Sequence, residues 1–298
     1  MQAQVLSSAA ALSPQFLEIK QEYGAPFETD IVANVAAALA EDVGSGDVTG
    51  LLVPDVPRTA RIRVREAAVL CGVPWFQEVL TQLGGTIEAH WHYREGEHMS
   101  ADTTVVELHG PARALLTAER NAMNFLQLLS GVATATRRYA DVIAGTRARV
   151  LDTRKTLPGL RLAQKYAVRV GGGANQRLAL YAGILIKENH IAAAGGVEEA
   201  LRAAFALNSG VPIQIEVETL AQLNTALAAG AISILLDNFS FEMMREAVAI
   251  NAGRAVLEVS GGVNLGSVAE IAATGVDRIS VGSLTKDVRA TDFSMRLI

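Results

Sequence analysis

The stretch that decides the fold is residues 147–190, which read RARVLDTRKTLPGLRLAQKYAVRVGGGANQRLALYAGILIKENH. It contains two short runs of aliphatic and β-branched residues, at 149–153 and 184–187. Further runs of this kind follow at 213–217, 232–236, 255–259 and 278–281, and they alternate with Ala-rich segments. Short buried strands that alternate with helices predict a parallel sheet or a (β/α) barrel.

Polar residues stand where each of these runs stops, and their positions separate the two parallel architectures. Six strands fit an open doubly wound sheet as well as a barrel. In a barrel, however, the carboxyl ends of all strands converge on one mouth, where active sites form. We therefore expect a barrel whose mouth collects these groups: Asp152-Thr153-Arg154-Lys155, Lys187-Glu188-Asn189-His190, Glu216, Asp237-Asn238, Ser260-Gly261-Gly262 and Gly282-Ser283.

The first third of the chain has a different pattern. Residues 31–40 are Ala-rich and predict a short helix. Within residues 61–69, and again within residues 86–108, short runs alternate apolar with polar residues. This pattern predicts an α+β domain with antiparallel strands. Residues 112–145 carry apolar side chains at helical spacing without a proline, which predicts one or two long helices.

The composition limits the classes of protein to which this chain can belong. The chain has 298 residues, half of them hydrophobic, and a net charge of -5, which argues against a general nucleic-acid binder. Cys71 is the only cysteine, so no disulfide can form within the chain. Residues 1–16 contain no Lys or Arg before their apolar residues, and no run approaches the length of a membrane span. We expect a cytoplasmic protein without a signal peptide.

Residues 147–187 hold nine basic residues and a single acidic one, Asp152, within an acidic protein. A solvated face is the ordinary interpretation of such a run, and it stays open for the basic residues at helical spacing, Arg161, Lys165 and Arg169. Arg154, Lys155 and Lys187 instead end apolar strands, where a cation is costly unless an anion meets it. These three predict a site for a polyanion.

Two carboxylates and two glycine-containing loops, Ser260-Gly261-Gly262 and Gly282-Ser283, complete the predicted site. Glu216 and Asp237 end adjacent strands, and they suit Mg²⁺ bound directly or through water; an ion network with Lys155 or Lys187 is the alternative. Gly261-Gly262 and Gly282 follow the last two strands, where barrels often bind phosphate through backbone N–H groups.

Longer motifs carry a resemblance to a known family. These are Asp152-Thr153-Arg154-Lys155-Thr156-Leu157-Pro158-Gly159-Leu160-Arg161, Lys165-Tyr166-Ala167-Val168, Gly171-Gly172-Gly173, Leu185-Ile186-Lys187-Glu188-Asn189-His190, Leu235-Leu236-Asp237-Asn238-Phe239 and Val281-Gly282-Ser283-Leu284-Thr285. In these motifs the chain resembles the quinolinate phosphoribosyltransferases, and the likeness begins at Ala40-Glu41-Asp42 in the first domain, so it extends over nearly the whole chain.

The resemblance implies an α/β fold, with an N-terminal open-faced α/β sandwich over residues 1–118, joined by the tail 284–298, and an incomplete (β/α) barrel over 119–283. It implies a pentosyltransferase that makes nicotinate mononucleotide, pyrophosphate and carbon dioxide from quinolinate and phosphoribosyl pyrophosphate, with Mg²⁺, in NAD biosynthesis. It also implies a homodimer in which Arg120 is supplied across the interface.

The resemblance implies specific roles for the site residues. Quinolinate would be bound by Arg120, Thr153, Arg154, Lys155, Gln176, Arg177 and Lys187. Phosphoribosyl pyrophosphate would be bound by Lys155, Lys187, Glu216, Asp237, Ser260, Gly261, Gly262, Gly282 and Ser283. Lys155, Lys187, Glu216 and Asp237 would be the catalytic residues, and Glu216 and Asp237 would hold Mg²⁺.

Two positions depart from the family pattern, because many members carry His where this chain has Gln176 and Asp where it has Ala182. Glutamine can donate a hydrogen bond to a carboxylate but supplies no positive charge. The alternatives are a phosphoribosyltransferase with altered base specificity and a non-catalytic protein that binds a dicarboxylate or phosphosugar. A barrel lyase or aldolase with a Schiff base on Lys187 is a further enzyme hypothesis.

Overall fold

The structure is a computed structural model that describes residues 6–298 of the chain. Residues 1–5, the start of the stretch that predicts no signal peptide, lie outside the described residues. No helix in the described part of the chain has both the length and the apolar character needed to cross a membrane.

Strands and helices are labelled separately in chain order. They are β1 (Leu6–Ser7), α1 (Ser8–Ala11), α2 (Pro14–Tyr23), α3 (Ala25–Asp42), β2 (Pro57–Val64), β3 (Ala68–Val69), α4 (Val73–Gln82), β4 (Glu88–Trp91), β5 (His98–Met99), β6 (Thr104–Pro111), α5 (Ala112–Val142), β7 (Arg149–Leu151), α6 (Arg161–Val170), β8 (Ile184–Ile186), α7 (Glu188–Ala194), α8 (Val197–Ala206), β9 (Ile213–Val217), α9 (Leu220–Ala228), β10 (Ser233–Asp237), α10 (Phe241–Asn251), β11 (Val256–Ser260), α11 (Val268–Ala273), β12 (Arg278–Ser280), α12 (Ser283–Lys286) and β13 (Phe293–Leu297). Short 3₁₀ turns lie at Gly50–Leu52 and Leu180–Ala182.

The chain divides into two compact units. The sandwich unit comprises Met1–Arg137, Thr156–Gly172 and Leu284–Ile298, and the barrel unit comprises Arg138–Lys155 and Gly173–Ser283. The predicted short helix near residue 31 is longer than expected, because α3 extends over 18 residues. The predicted helical middle is one helix, α5, of 31 residues.

The sandwich unit is built on a five-stranded antiparallel sheet in the order β1-β4-β6-β2-β13. Along β2 the side chains of Ala60, Ile62 and Val64 are buried, whereas Arg61 and Arg63 between them are exposed. A strand with this alternation covers a core on one side and meets water on the other. The antiparallel, open-faced sheet predicted for the first third of the chain is confirmed.

The barrel unit is built on six parallel strands in the order β7-β12-β11-β10-β9-β8. Strands that follow one another along the chain are neighbours from β8 to β12, and the last of them, β12, pairs with the first, β7. A doubly wound sheet reverses its strand order at a switch point, whereas pairing of the first strand with the last curls the sheet round on itself. Only β7 and β8 remain unpaired with each other, so the fold is an incomplete (β/α) barrel, as predicted.

A buried carboxylate, Glu95, organises the helical side of the sandwich unit. It accepts hydrogen bonds from the backbone N–H groups of Gly72 and Val73, at 2.7 and 3.0 Å, where α4 begins. The Tyr166 hydroxyl also donates to it, and the Tyr166 ring packs against Trp75. The N-terminal end of a helix is a favourable place for a carboxylate, but full burial removes water from it.

The burial of Glu95 raises its pKa to about 7 from the ordinary 4.5, and its hydrogen bonds only partly oppose this shift. Because the folded-state pKa is raised, the folded protein holds this proton more tightly than the unfolded chain does. The stabilising contribution is therefore complete below the unfolded pKa and is lost as the pH rises through about 7.

Replacing Glu95 with Gln should remove this pH dependence. We expect the difference in free energy of unfolding between wild type and Glu95→Gln to change by about 3 kcal/mol from pH 4.5 to pH 8. The wild type should lose stability relative to the variant as the pH rises. Urea denaturation at both pH values measures it. Glu97→Gln, at an exposed neighbour, is the control, and an unchanged pH dependence in Glu95→Gln would contradict the assignment.

Candidate active site

The barrel unit brings the sequence-predicted polar groups, apart from Arg120, to one end of its strands. The strands present them close to their carboxyl ends: Thr153, Arg154 and Lys155 after β7, Lys187 after β8, Glu216 as the penultimate residue of β9, Asp237 as the last residue of β10, Ser260 as the last residue of β11 with Gly261 and Gly262 after it, and Gly282 and Ser283 after β12. Because all six strands are parallel, these positions share one mouth of the barrel.

The first and last loops of the barrel meet at Lys155 and Gly282. A side-chain carbon added at Gly282 would lie 3.2 Å from Lys155 Cδ and 3.7 Å from its Nζ. The backbone N–H of Lys155 donates to Thr153 Oγ1 at 3.0 Å, which shapes the loop after β7. Glycine at position 282 therefore lets the lysine lie across the backbone after β12, where backbone amides can also approach a phosphate.

Two arginines at the mouth, Arg154 and Arg177, are close enough for their charges to interact. Burial, together with the positive charge of Arg154, lowers the pKa of the Arg177 guanidinium from its usual value. Arg177 Nη1 donates to the Gly183 carbonyl oxygen at 2.6 Å. The buried Arg154 Nε has no hydrogen-bond partner among the described residues. A buried guanidinium nitrogen without an acceptor, beside a second guanidinium, indicates a site prepared for an anion.

An ion pair and a second carboxylate lie across the mouth. Lys187 Nζ contacts Glu216 Oε2 at 2.9 Å. Burial raises the pKa of Glu216, and the charges of Asp237 and Glu188 act in the same direction, while Lys187 opposes them. The two carboxylates at the ends of β9 and β10 are thus close enough to influence each other, which is the donor set predicted for Mg²⁺. Within residues 6–298 no cluster of three or more metal-binding side chains forms.

The loop after β11 has backbone that only glycine adopts readily. Gly261 and Gly262 have φ angles of +102° and +60°. The Asn238 side chain lies over Gly261, where a side-chain carbon would collide with it, and Asn238 Nδ2 donates to Asp237 Oδ2 at 2.8 Å. Asn238 itself has a φ of +55°. Glycine at 261 leaves room for the amide that orients the Asp237 carboxylate.

A buried polar layer beneath the mouth was not predicted from the sequence. Glu258, fully buried within β11, accepts hydrogen bonds at 2.9 Å from the side-chain amides of Gln176 and Gln214, and at 2.5 Å from Ser280 Oγ. The signal was a charged residue inside the apolar run of a buried strand, which needs partners from its neighbours. Sequence alone could not supply those partners, because they come from three other segments.

A second buried carboxylate, Asp152, holds the segment that carries Gln176. It accepts a hydrogen bond from Asn175 Nδ2 at 2.6 Å and another from the backbone N–H of Gln176 at 2.9 Å. The same segment pairs with the first strand through a parallel bridge between Leu151 and Ala174. Asp152 therefore fixes the backbone that leads to Arg177.

The other basic residues predicted near the site belong to the sandwich unit. Arg120 lies on an exposed turn of α5. Arg169 forms ion pairs with Glu18 and Glu22 at 2.8 and 3.1 Å, and Lys165 is fully buried. The interpretation of the α6 basic residues as a solvated face is therefore wrong for Lys165, because its side chain is fully buried.

Two protein-family models match most of the chain. The family model described as quinolinate phosphoribosyl transferase, C-terminal domain, matches residues 132–296. The corresponding N-terminal domain model matches residues 47–130. Together the two models cover all six parallel strands and strands β2, β4 and β6 of the antiparallel sheet.

Curated relatives and solved structures agree with these matches. The chain is 43% identical over 255 residues to the nicotinate-nucleotide pyrophosphorylase [carboxylating] of Mycobacterium leprae, covering 84% of this chain and 86% of the relative. It is 40% identical over 257 residues to the probable enzyme of that name from Bacillus subtilis, covering 86% and 89%. The solved structure of the nicotinate-nucleotide pyrophosphorylase from Francisella tularensis superimposes with a TM-score of 0.89 at 45% identity, covering 91% and 97%. The chain belongs to the quinolinate phosphoribosyltransferase family.

Proposed function

We propose that this chain transfers the phosphoribosyl group of phosphoribosyl pyrophosphate to quinolinate and releases carbon dioxide, giving nicotinate mononucleotide and pyrophosphate for NAD biosynthesis. One observation carries the proposal: the mouth of the barrel holds two neighbouring guanidiniums, Arg154 and Arg177, for which no ion-pair partner is seen within residues 6–298. A ligand with two adjacent carboxylates offers the bidentate acceptors that such a pair requires.

The dicarboxylate would occupy the side of the mouth formed by the loops after β7 and β8. Arg154 and Arg177 would take the two carboxylates, with Lys155 and Lys187 adding positive charge and Thr153 a hydroxyl donor. Like charges held close together in the free protein favour an incoming anion, because it relieves their repulsion. A planar guanidinium also fixes the orientation of the pyridine ring, which decides where its nitrogen points.

Phosphoribosyl pyrophosphate would occupy the opposite side. Gly261 and Gly262 are exposed and have positive φ angles. Their backbone N–H groups would bind the 5′-phosphate, together with Ser260, Gly282 and Ser283. Glu216 and Asp237 would meet the ribose hydroxyls. Lys155 and Lys187 lie between the two substrate positions and would neutralise charge on both.

Two carboxylates are the usual protein contribution to a Mg²⁺ site, which otherwise uses water and substrate oxygens. Glu216 and Asp237 fit this pattern, because they end adjacent strands and Asn238 orients Asp237. We propose that they hold Mg²⁺ directly or through water. When bound, the cation would neutralise the pyrophosphate group of the donor.

The protein's own residues would position the reactants and stabilise charge. The pyridine nitrogen attacks the anomeric carbon as the bond to the pyrophosphate oxygen breaks, so positive charge moves from an oxocarbenium-like centre onto the ring. Lys155 and Lys187 would meet the negative charge that develops on the leaving oxygen. The 2-carboxylate then leaves as carbon dioxide, its bonding electrons remain on the cationic ring, and a proton replaces it.

A homodimer would complete the site with Arg120. The exposed position of this residue on α5 is compatible with contribution to a neighbouring subunit. Large apolar side chains that meet solvent in this chain, including Leu51, Leu52 and Tyr181, are the kind of surface that a subunit contact buries. Cytoplasmic location and the domain boundaries at residues 118 and 283 stay predictions.

The rival functions have less support. A Schiff-base lysine requires a neutral amine, whereas Lys187 forms an ion pair with Glu216. A protein that only binds a dicarboxylate or phosphosugar would not need two carboxylates placed next to a phosphate-binding loop. Altered base specificity remains the nearest alternative within the family, because Gln176 and Ala182 replace residues near the arginines.

Product analysis tests the proposed function directly. Purified protein with quinolinate, phosphoribosyl pyrophosphate and Mg²⁺ should form nicotinate mononucleotide and carbon dioxide in equal amounts, and a chelator should stop both. Nicotinate as the only base is the control and should give no product. Product from nicotinate would shift the base specificity, and substrate binding without product would favour a non-catalytic protein.

Arg154→Ala should weaken quinolinate binding, because a bidentate partner of a carboxylate is lost. We expect the KM for quinolinate to rise about tenfold or more, or activity to be lost, with a smaller effect on the KM for phosphoribosyl pyrophosphate. Steady-state kinetics measures both. Arg202→Ala removes an exposed guanidinium on α8 that pairs with Glu198, and it serves as the matched control. Wild-type kinetics in Arg154→Ala would remove this residue from the site.

Subunit complementation tests the role of Arg120. Arg120→Ala and Arg154→Ala should each be inactive or nearly so. A heterodimer of the two, isolated with different affinity tags, should regain about half of the wild-type activity per dimer, because one of its two sites would contain both arginines. An inactive heterodimer would show that Arg120 does not act across the interface.

A further inference from the structure

We propose that Glu258 is a positioning residue for substrate binding, which acts through Gln176 to hold Arg177 against Arg154. The inference rests on the proposed function, since it concerns how the quinolinate site is kept in shape. Glu258 lies inside β11, where it is 0% exposed.

The hydrogen bonds of Gln176 carry the first step. Its Nε2 lies 2.9 Å from both oxygens of Glu258 and 3.0 Å from Gln214 Oε1. A side-chain amide has two N–H hydrogens, and these acceptors occupy both of them. Gln176 therefore points its donors into the barrel. The carboxylate that it meets in this structure is that of Glu258.

The other end of the same amide supports Arg177. Gln176 Oε1 accepts the backbone N–H of Arg177 at 2.8 Å. On the opposite side of the segment, Asp152 accepts the backbone N–H of Gln176. Gln176, which holds the Arg177 N–H, is thus itself held by two buried carboxylates, by Glu258 through its side-chain amide and by Asp152 through its backbone N–H.

Arg177 needs such support because of its neighbour. The positive charge of Arg154 opposes a second guanidinium nearby, and before an anion arrives this repulsion would favour moving Arg177 away. Hydrogen bonds that fix the backbone at Gln176 and Arg177 keep the two guanidiniums ready to bind the dicarboxylate together. A site held in its binding geometry loses less entropy on binding.

The hydrogen bonds around Glu258 can also form when the residues at positions 176 and 258 are exchanged. Ser280 Oγ and Gln214 Nε2 donate to Glu258, and Gln214 Oε1 accepts from Gln176. If Gln176 and Glu258 exchange identities and the Gln214 amide turns over, the amide at 258 can donate to the carboxylate at 176 and to Gln214 Oε1, and Gln214 Nε2 can donate to the carboxylate at 176. The amide oxygen at 258 can accept from Ser280, and the carboxylate at 176 still accepts the Arg177 N–H. The exchange conserves charge and the number of hydrogen bonds.

The test compares Glu258→Gln, Gln176→Glu and the double exchange in the full-length protein. Gln176→Glu sets two carboxylates against each other, and Glu258→Gln removes one of the two acceptor oxygens that Gln176, Gln214 and Ser280 share. For each single variant we expect the KM for quinolinate to rise about tenfold while the KM for phosphoribosyl pyrophosphate changes less than about twofold. The double exchange should return the quinolinate KM to within about threefold of wild type. Recovery would not occur if Gln176 contacted quinolinate directly, because the exchange would then set a carboxylate against the substrate.

Asp277→Asn is the control for a loss of stability alone. Asp277 precedes β12, at the other end of the strands, where it accepts the Leu257 N–H at 2.8 Å and pairs with Arg147. This variant should melt at a lower temperature with an unchanged KM for quinolinate. If Glu258→Gln does not fold, the double exchange decides: a folded double variant with near wild-type KM supports the proposal.

Three results would overturn the positioning role. The first is an unchanged quinolinate KM in both single variants, and the second is an equal change in the KM of both substrates. The third is a double exchange that folds but keeps the raised quinolinate KM of Gln176→Glu. The wild type is assayed first in the same reaction. If it forms no nicotinate mononucleotide, the proposed function fails, whereas wild-type turnover with any of these three results contradicts only the role of Glu258.

Discussion

The pairing of β7 with β12 is the interaction on which the barrel unit depends. Arg278 to Ser280 lie beside Arg149 to Leu151 in parallel register, and the Val281 N–H continues the ladder to the Leu151 carbonyl oxygen at 2.9 Å. This pairing joins the first strand of the repeat to the last, although about 130 residues separate them along the chain. It is also what brings Lys155 across Gly282, so the cationic loop after the first strand meets the glycine loop after the last.

Closing the sheet in this way concentrates like charges at one mouth, and the structure offsets their repulsion from below. Lys187 is neutralised in part by Glu216. Arg154 and Arg177 instead lie near each other, and neither has a carboxylate partner in the described residues. Buried acceptors hold the backbone instead of the guanidiniums. Asp152 and Glu258 satisfy N–H groups of the segment that carries Arg177, which leaves its charge available to a ligand.

Two fully buried glutamates show how differently a carboxylate can be accommodated. Glu95 meets backbone N–H groups at the start of α4 and a tyrosine hydroxyl within an aromatic cluster, and its burial raises its pKa to about 7. Glu258 meets side-chain amides and a serine in the interior of a barrel. The first arrangement joins a helix to the core of the sandwich unit, and the second joins four segments beneath a polar mouth.

The sequence by itself determined the alternation of strands and helices, the six parallel strands and the polar residues at their ends, because these depend on local periodicity and on where apolar runs stop. It did not determine that β12 returns to β7, which separates a barrel from an open sheet, since strand pairing is a long-range contact. It marked Arg154, Lys155, Lys187, Glu216 and Asp237 as candidates, because a charge at the end of a buried strand is unusual. Only the tertiary structure decided that Gln176 turns inward to Glu258 and that Lys165 is enclosed, because both depend on partners distant in sequence. The direction of a side chain follows from the neighbours that packing provides, and a linear pattern contains no record of them.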